Sequence, residues 1–347
     1  MPSIFELVTA EEITAYWQST TANDTGLLGE ELFPSDKKLG LDLKWIKGSQ
    51  GLPIVLKPSA YDVAALKRDR IGFDKIMTEM PFFKESTMID EELRQQLNMV
   101  LETGNPVYID AVLNRIFSDE MQLLRGAKAQ RERMRMMLLT TGIISISANG
   151  QNYFYDYGLK ESQKKSVGDG VAVAWSDPDA DIIEDIRAWQ TEVEEETGTR
   201  PTRAIFSRKT FSYMLKNKNI RNAILGNNSN VPVLESQVRT YLTTALGLSY
   251  AIYEKKYIDE TGAKKSYIPD DLFVLIPAGA LGTSWFGTTP EESDLMTGSA
   301  ANVSITDTGV AVTTSKKIDP VNVDTKVSMI FLPSFEAIDE LVIAEVA

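Results

Sequence analysis

Residues 254–277 read EKKYIDETGAKKSYIPDDLFVLIP, and this stretch decides how the rest of the chain is interpreted. Charged and apolar residues alternate up to a turn at Glu260-Thr261-Gly262, and a second, similar run follows the turn. Pro269 separates these two runs from LFVLIP, whose length and apolar character are typical of a buried strand. The stretch therefore predicts a charged, two-stranded finger (residues 254–268) attached to the core, and the charges of such a finger need polar partners.

An α/β block precedes the finger. We expect a helix that opens at Asp177-Pro178, because Asp is a good cap and Pro fits a first turn, and that closes at Gly198. The strand RAIFS, one or two helices over RKTFSYMLKNKNIRNAILG and a helix over VLESQVRTYLTTALGL follow in order. Strand patterns occur again after residue 300, so we expect the C-terminal strands to complete a sheet that the first part of the chain begins.

The longest periodic segment extends from Pro106 to Thr141. Pro106 fits a first helical turn, and Gly142 lies just past the end. At 1.5 Å per residue the predicted spine helix is roughly 50 Å long, well above the usual length in globular proteins. GIISISANGQNYFYDYG follows, and its two alternating runs around Asn149-Gly150 predict a β-hairpin. The apolar positions with helical spacing are Val107, Ala111, Val112, Ile116, Phe117, Met121, Leu124, Met134, Met137 and Leu138.

Two segments near the N-terminus need not fold on themselves. Residues 1–17 predict a short amphipathic helix, a polar stretch follows, and we expect this arm to find its partner outside the subunit. From Asp36 to Lys75, nine Lys and Arg residues outnumber five Asp and Glu residues. LDLKWIK alternates with period two and GSQG has turn composition, so we expect an extended, basic hairpin loop in this region.

Composition limits the chemistry that the chain can perform. Its 347 residues suggest two domains or one elaborated domain. The absence of cysteine and histidine excludes Cys and His nucleophiles, a Ser-His-Asp triad and a structural zinc site. Neither G-x-G-x-x-G nor a P-loop motif occurs, so no nucleotide cofactor is predicted. No segment approaches the roughly 20 apolar residues of a membrane span and no secretory signal is seen, which favours a soluble protein.

Acidic residues dominate the charge of the chain. The net charge of −13 disfavours a sequence-independent grip on nucleic acid, because phosphates would be repelled. Asp177, Asp179 and Asp181 have the spacing that begins a calcium-binding loop, but Ile182 stands where Gly is required. The acidic start of a helix explains them better, and no metal site is predicted. The run EVEEET, residues 192–197, lies at a helix C-terminus and invites a basic partner, although a solvated surface is the simpler alternative.

Cationic and aromatic residues admit simple structural explanations. The last third of the spine helix carries a basic cluster, which could contact nucleic acid, but a solvated cationic helix end explains it more simply. We expect the tryptophans to anchor packing rather than to bind a ligand. The basic cluster comprises Arg125, Lys128, Arg131, Arg133 and Arg135, and the tryptophans are Trp45, Trp175, Trp189 and Trp285.

The order of these parts resembles the major capsid protein of tailed bacteriophages, which has the Hong Kong 97-like fold, and within it the lambda-type capsid protein E family. The finger and the strand after it give the most specific match. SDPDADIIEDIRAW and AIFSRKTFSYMLKNKNIRNAI are similar to segments that open the family's central domain, and FLPSFEAIDELVIAEVA resembles its C-terminal ending. The resemblance covers the chain from about residue 37 onward, and residues 1–36 are not placed by it.

The resemblance implies an α+β fold and a division of the chain into five parts. The central part would be an α/β axial domain, and a long spine helix would accompany a peripheral β-sheet. The implied parts are an N-terminal arm (1–35), an extended β-hairpin loop (36–80), a peripheral domain with spine helix and hairpin (81–176), the axial domain (177–300) and return strands that complete the peripheral domain (301–347).

The resemblance also implies a structural function without enzymatic activity. Copies of the chain would form the pentamers and hexamers of an icosahedral head that encloses double-stranded DNA without sequence-specific binding. The extended loop would lie across the adjacent subunit and meet the acidic helix, and the finger would meet neighbouring copies near the five- and six-fold axes. The expected contact residues are Lys44, Trp45, Lys47, Lys57, Arg68, Glu192, Glu194, Glu195, Lys255, Lys256, Glu260, Lys264 and Lys265.

Other partners and two alternatives follow from the same reasoning. We expect scaffolding, portal and possible decoration proteins as partners, no cofactor and no membrane, and a location in the virion after assembly in the host bacterial cytoplasm. The first alternative is an encapsulin-like nanocompartment shell of the same fold. The second is a carboxylate-based hydrolase, which would be a compact monomer whose activity depends on one Asp/Glu pair.

Overall fold

The computed structural model of the chain describes residues 4–22, 26–46, 75–89, 91–226, 231–296, 301–318 and 321–347. The described residues divide into two compact units. The first unit draws on residues 1–43, 77–134 and 283–334, and the second mainly on residues 135–282 and 335–347. Each unit contains a six-stranded sheet.

Helices occur in both units. The described α-helices are α1 (Ile4–Leu7), α2 (Ala10–Thr21), α3 (Leu28–Leu32), α4 (Glu91–Thr103), α5 (Pro106–Thr141), α6 (Ile182–Thr197), α7 (Arg208–Lys216), α8 (Lys218–Leu225) and α9 (Glu235–Leu246). Short helical turns of other types lie at Glu161–Gln163, Glu291–Leu295 and Ile338–Glu340. In the part of the chain that the structure describes, no helix is long and apolar enough to cross a membrane.

Strands make up two six-stranded sheets and three separate two-stranded sheets. The described strands are β1 (Ser35–Lys37), β2 (Asp42–Ile46), β3 (Lys75–Glu79), β4 (Phe82–Ile89), β5 (Ile143–Ala148), β6 (Gln151–Asp156), β7 (Lys164–Val167), β8 (Gly170–Val171), β9 (Arg203–Phe206), β10 (Ser249–Ile252), β11 (Lys256–Ile258), β12 (Lys264–Ser266), β13 (Leu272–Ile276), β14 (Ser284–Phe286), β15 (Asn302–Thr306), β16 (Val310–Ile318), β17 (Val321–Pro333) and β18 (Val342–Glu345). The pairs β2–β3, β5–β6 and β11–β12 each form a two-stranded sheet.

The sheet of the first unit is built around the long strand β17. Its order is β1-β14-β17-β16-β15, and β4 also pairs with β17. Thr325 of β17 lies opposite Thr314 of β16 and Thr87 of β4, so these side chains share one face of the sheet. Alternate residues on that face are buried, as the period-two pattern of a strand requires: Val310, Val312, Val323, Val327 and Met329.

The N-terminal helix α2 packs against its own chain. Ala10, Ile13 and Trp17 are buried on one side of α2. The Ala10 backbone N–H donates to Asn302 Oδ1 at 2.8 Å, and Trp17 Nε1–H donates to Asp307 Oδ1 at 3.3 Å. The expectation that this helix finds its partner outside the subunit is therefore wrong. Packing within one chain avoids the loss of translational entropy that accompanies association of two chains. The sequence shows that one face of the helix is apolar, but it does not show which surface that face contacts.

The predicted spine helix is confirmed as α5, which has 36 residues. The interpretation of its basic cluster as a solvated face is wrong for Arg131 and Arg135, which are 3% and 1% exposed. Arg131 Nη2 lies 2.8 Å from Asp307 Oδ2, and its guanidinium lies over the Phe286 ring at 5.6 Å. A buried cation needs such partners, and here they come from residues distant in sequence. The nucleic-acid alternative fails at the same two residues.

The second unit contains a mixed sheet covered by helices. Its order is β10-β9-β13-β18-β7-β8, in which β13 runs antiparallel to both β9 and β18. Trp175, Trp189, Phe206 and Phe273 form one aromatic cluster in its core, with ring centroids 5.1–5.9 Å apart in the contacting pairs. The prediction that Trp175 and Trp189 anchor packing is confirmed by their burial.

One hairpin and the first helix of the α/β block can be compared with the turns and helix ends that the sequence predicts. The hairpin predicted around Asn149-Gly150 is confirmed as β5–β6. The α6 helix ends at Gly198, which adopts a left-handed φ of 77°, as predicted. Its predicted start at Asp177-Pro178 is wrong, because α6 begins at Ile182. The Asp177 side chain instead accepts a hydrogen bond from the Asp179 N–H at 2.9 Å, which closes a turn before the helix.

Candidate functional site

The finger projects charged side chains from two short strands. In the register of β11 and β12, Lys256 lies opposite Ser266, Tyr257 opposite Lys265, and Ile258 opposite Lys264. Because opposed residues share a face, Lys256, Ile258 and Lys264 form one outer face of the finger. The predicted contact residues Lys255, Lys256, Glu260, Lys264 and Lys265 are all exposed. Ile258 is 67% exposed, so the outer face combines an apolar side chain with two cations.

One buried carboxylate organises the tip of the finger. Asp259 Oδ1 accepts hydrogen bonds from the Thr261 N–H at 2.9 Å, the Thr261 hydroxyl at 2.6 Å and the Ala263 N–H at 2.9 Å. Lys265 Nζ lies 2.7 Å from Asp259 Oδ2. The hydrogen bonds from Lys265 and Thr261 hold the pKa of Asp259 well below its usual range. The turn is thus fixed by its own side chains and not only by Gly262.

A row of tyrosines stiffens the base of the finger. The Tyr257 and Tyr267 ring centroids are 4.9 Å apart, and those of Tyr253 and Tyr267 are 6.0 Å apart. Tyr253 and Tyr267 are each 7% exposed, so this row packs inward while the lysines face solvent. A finger that is ordered before it meets a partner loses little conformational entropy on binding.

An aspartate holds the C-terminal side of the finger to α7. Asp271 Oδ2 lies 2.6 Å from Lys209 Nζ, and Asp271 Oδ1 accepts a hydrogen bond from the Tyr213 hydroxyl at 2.6 Å. Burial opposes the effect of these two donors, yet together they lower the pKa of Asp271. The sequence interpretation missed this contact, although the Asp270-Asp271 pair directly before a buried strand is a turn signal that could have indicated it.

The acidic end of α6 is largely paired within the chain. Glu192 Oε2 lies 2.7 Å from Lys165 Nζ, and Glu194 Oε2 lies 2.6 Å from Arg200 Nη1. Glu196 pairs with Lys160 in the same way. Glu195 is exposed and, among the described residues, forms no ion pair. Glu192 and Glu194 thus have basic partners within their own chain. The predicted role of these two glutamates between subunits stays a prediction.

The extended loop is described only at its two ends. Lys44 and Trp45 lie in β2, whose backbone pairs with β3. The predicted contact residues Lys47, Lys57 and Arg68 lie outside the described residues.

One carboxyl group in the first unit has the pKa of an acid catalyst but not its surroundings. Burial raises the pKa of Glu120 from 4.5 to about 7, a hydrogen bond with Thr325 opposes the rise, and the charges of Asp119 and Asp324 add to it. Glu120 is 2% exposed, so a substrate has no access to it. Within the described residues, no group of three or more acidic side chains is placed to hold a metal ion. The geometry therefore favours contact surfaces over a reaction centre.

Comparison with known families gives a match over almost the whole chain. The model of the family described as phage major capsid protein E matches residues 9–346. The comparison with curated proteins gave no match.

Solved structures show the fold. A prophage protein of Escherichia coli CFT073, described as a capsid protein, superposes with a TM-score of 0.62 at 17% identity, covering 98% of this chain and 99% of that chain. A phage-related protein of Bordetella bronchiseptica RB50 gives a TM-score of 0.53 at 12% identity, with 97% of both chains covered. The α+β, Hong Kong 97-like fold expected from the resemblance is confirmed.

Proposed function

The chain belongs to the phage major capsid protein E family, and from this premise we propose that its copies form the pentamers and hexamers of an icosahedral bacteriophage head around double-stranded DNA. The protein is a structural subunit of a capsid shell and not an enzyme. The single observation that carries the proposal is the family match over residues 9–346. This match covers almost the whole chain.

Within this proposal the finger contacts neighbouring copies. Its outer face presents Lys256, Ile258 and Lys264 on a chain whose net charge is −13. A cationic surface on an acidic chain is complementary to most of the surface of another copy. Each exposed ion pair contributes only about 0–1 kcal/mol, but the contact repeats at every subunit of a closed shell.

The remaining predicted contacts and the five-part division of the chain are proposed on the same basis. The extended loop would place Lys44, Trp45, Lys47, Lys57 and Arg68 against an adjacent subunit. Glu195 is the best candidate at the end of α6, because Glu192 and Glu194 already have partners within the chain. The finger contributes Lys255, Glu260 and Lys265 beside its outer face.

The acidic composition suits a container for DNA. A wall with a net charge of −13 per subunit does not bind phosphates tightly, so the packaged polymer can slide past it. We propose enclosure of DNA without sequence-specific contacts, and a location in the virion after assembly in the host cytoplasm. Scaffolding, portal and decoration proteins are the further partners that such a head would need.

Particle assembly by the purified chain tests the proposal. We expect megadalton particles by sedimentation, and heads with DNA and a tail vertex when particles are isolated from a producing host. Particles that contain no DNA and enclose a protein cargo instead would favour the nanocompartment alternative. A stable species of 38.6 kDa that never associates would contradict both kinds of shell.

A further inference from the structure

Apart from Asp156, the last residue of β6, the hairpin β5–β6 lacks the features that normally protect a strand edge. Residues 143–155, IISISANGQNYFY, contain no Asp, Glu, Lys, Arg or Pro, although charged residues make up 24% of the chain. Proteins usually block exposed strand edges with charges, prolines or bulges, because an open edge pairs with other chains. The two strands have six residues each, and among the described strands neither pairs with a third.

The register of the hairpin fixes which backbone groups point outward. Asn149 and Gly150 have φ values of 52° and 74°, as a two-residue type I′ turn requires. Ala148 and Gln151 close this turn as a hydrogen-bonded pair, so the pair Ser147–Asn152 and the pair Ser145–Phe154 are non-hydrogen-bonded. The N–H and C=O groups of Asn152 and Phe154 therefore point away from β5, toward the edge of β6 that no described strand covers.

The same residues carry an exposed apolar surface. Ile144 and Ile146 on the inner face are 0% and 5% exposed, whereas Phe154 on the outer face is 66% exposed. Phe154 has the uncharged Ser145 across the hairpin and the uncharged Asn152 on one side along β6. Asp156 lies on its other side, and the Asp156 carboxylate accepts a hydrogen bond from the Gly158 N–H at 2.7 Å. A strand added beside β6 would place a side chain next to the Phe154 ring, and such pairs stabilise sheets.

We propose that an extended segment of a second copy of this chain adds to the β6 edge as a third strand when the shell assembles. The inference rests on the proposed function, which supplies many copies at high local concentration. Charge favours a second copy over a basic protein or a nucleic acid as the occupant. Two chains of net charge −13 repel each other over most of their surfaces. The part of the β6 edge from Gln151 to Tyr155 carries no charge and lets them approach, whereas a cationic partner would prefer acidic surfaces.

Hydrogen–deuterium exchange on the full chain tests the proposal directly. Assembled particles are compared with subunits dissociated from them, with single-residue resolution over residues 143–156. We expect the amides of Asn152 and Phe154 to exchange at least about 100-fold more slowly in particles, because each gains an acceptor. The amides of Gln151 and Tyr153, which already point into the hairpin, should change little. Equal exchange at Asn152 and Phe154 in both states would overturn the inference while leaving the shell intact.

A proline variant with a matched control gives a second readout. Asn152→Pro removes one outward N–H and keeps the inner ladder, since Pro is tolerated at an edge whose N–H faces solvent. Asn152→Ala loses the same side-chain contact to Ser147 but keeps the N–H. We expect Asn152→Pro to reduce particle yield at least about tenfold relative to Asn152→Ala, with both subunits melting at similar temperatures. Equal yields would overturn the proposal, and failure of the unsubstituted chain to assemble would instead refute the proposed function itself.

Discussion

At the scale of single residues, Glu120 couples the stability of the first unit to pH. Folding raises its pKa from 4.5 to about 7, so the folded chain holds this proton more tightly than the unfolded chain. The stabilising contribution is therefore complete below about pH 4.5 and is lost as the pH rises through about 7. We expect Glu120→Gln to be more stable than the natural chain at pH 8, by up to about 3 kcal/mol, and similar to it at pH 4.5.

Denaturant unfolding of the isolated subunit between pH 4.5 and pH 8 measures this difference. The control is Glu102→Gln, an exposed residue of α4, which should leave the pH profile unchanged. If Glu120→Gln retains the same loss of stability through neutral pH, then another group causes it.

A glycine contact gives a second prediction at this scale. A Cβ atom at Gly309 would lie 2.5 Å from the Cβ of Phe286, which is fully buried under Arg131. We expect Gly309→Ala to lower the free energy of unfolding by about 1–3 kcal/mol, because the ring cannot move without disturbing the core. Gly126→Ala is the matched control: its Cβ would meet nothing within 4 Å on α5, and it should stabilise the helix by roughly 0.5–1 kcal/mol. Equal effects of the two substitutions in a denaturant titration would contradict this packing.

At the scale of elements, the finger depends on its turn. Asp259→Ala removes the acceptor of four hydrogen bonds or ion contacts, so we expect the finger to loosen while the core of the second unit keeps its melting temperature. Limited trypsin digestion should cleave after Lys264 or Lys265 at least about tenfold faster in the variant. Asp270→Asn, an exposed change after the finger, serves as control. Unchanged cleavage would show that the tyrosine row alone holds the finger.

Elements with local signals could be predicted from the sequence, and those set by distant contacts could not. The spine helix has Pro106, apolar residues at helical spacing over most of its length, and Gly142. The hairpin has Asn149-Gly150, and each of these signals lies within or directly beside its element. The place of α2 depends instead on Asn302 and Asp307, almost 300 residues away. The predicted start of α6 is four residues too early, because the aspartates there stabilise a turn as readily as a helix.

The order of the predicted elements along the chain was enough to suggest the family. It did not show which residues become buried or which sheet a strand joins. The last strand, β18, pairs with β13 and β7 in the sheet of the second unit, and nothing in VIAE distinguishes that sheet from the other. The candidate contacts were only partly accessible to sequence reasoning. It identified the charged finger from its composition. It missed the β6 edge, because a lack of charge is informative only when the structure shows that no described strand covers that edge.

At the scale of the whole molecule, assembly sets local attraction at the finger against the repulsion between acidic subunits. Lys256 is exposed on the outer face of the finger, and Lys216 is exposed at the end of α7. Lys256→Glu and Lys216→Glu change the net charge equally, so a general repulsion would affect assembly equally. We expect Lys256→Glu alone to raise the critical concentration for assembly at 0.1 M salt, by about fivefold or more, because it also reverses the charge at a repeated contact.

Light scattering over a dilution series measures this critical concentration. At 1 M salt the Debye length falls from about 10 Å to about 3 Å, and the difference between the two variants should largely disappear. Equal critical concentrations at low salt would mean that the finger does not meet an acidic surface of its neighbour.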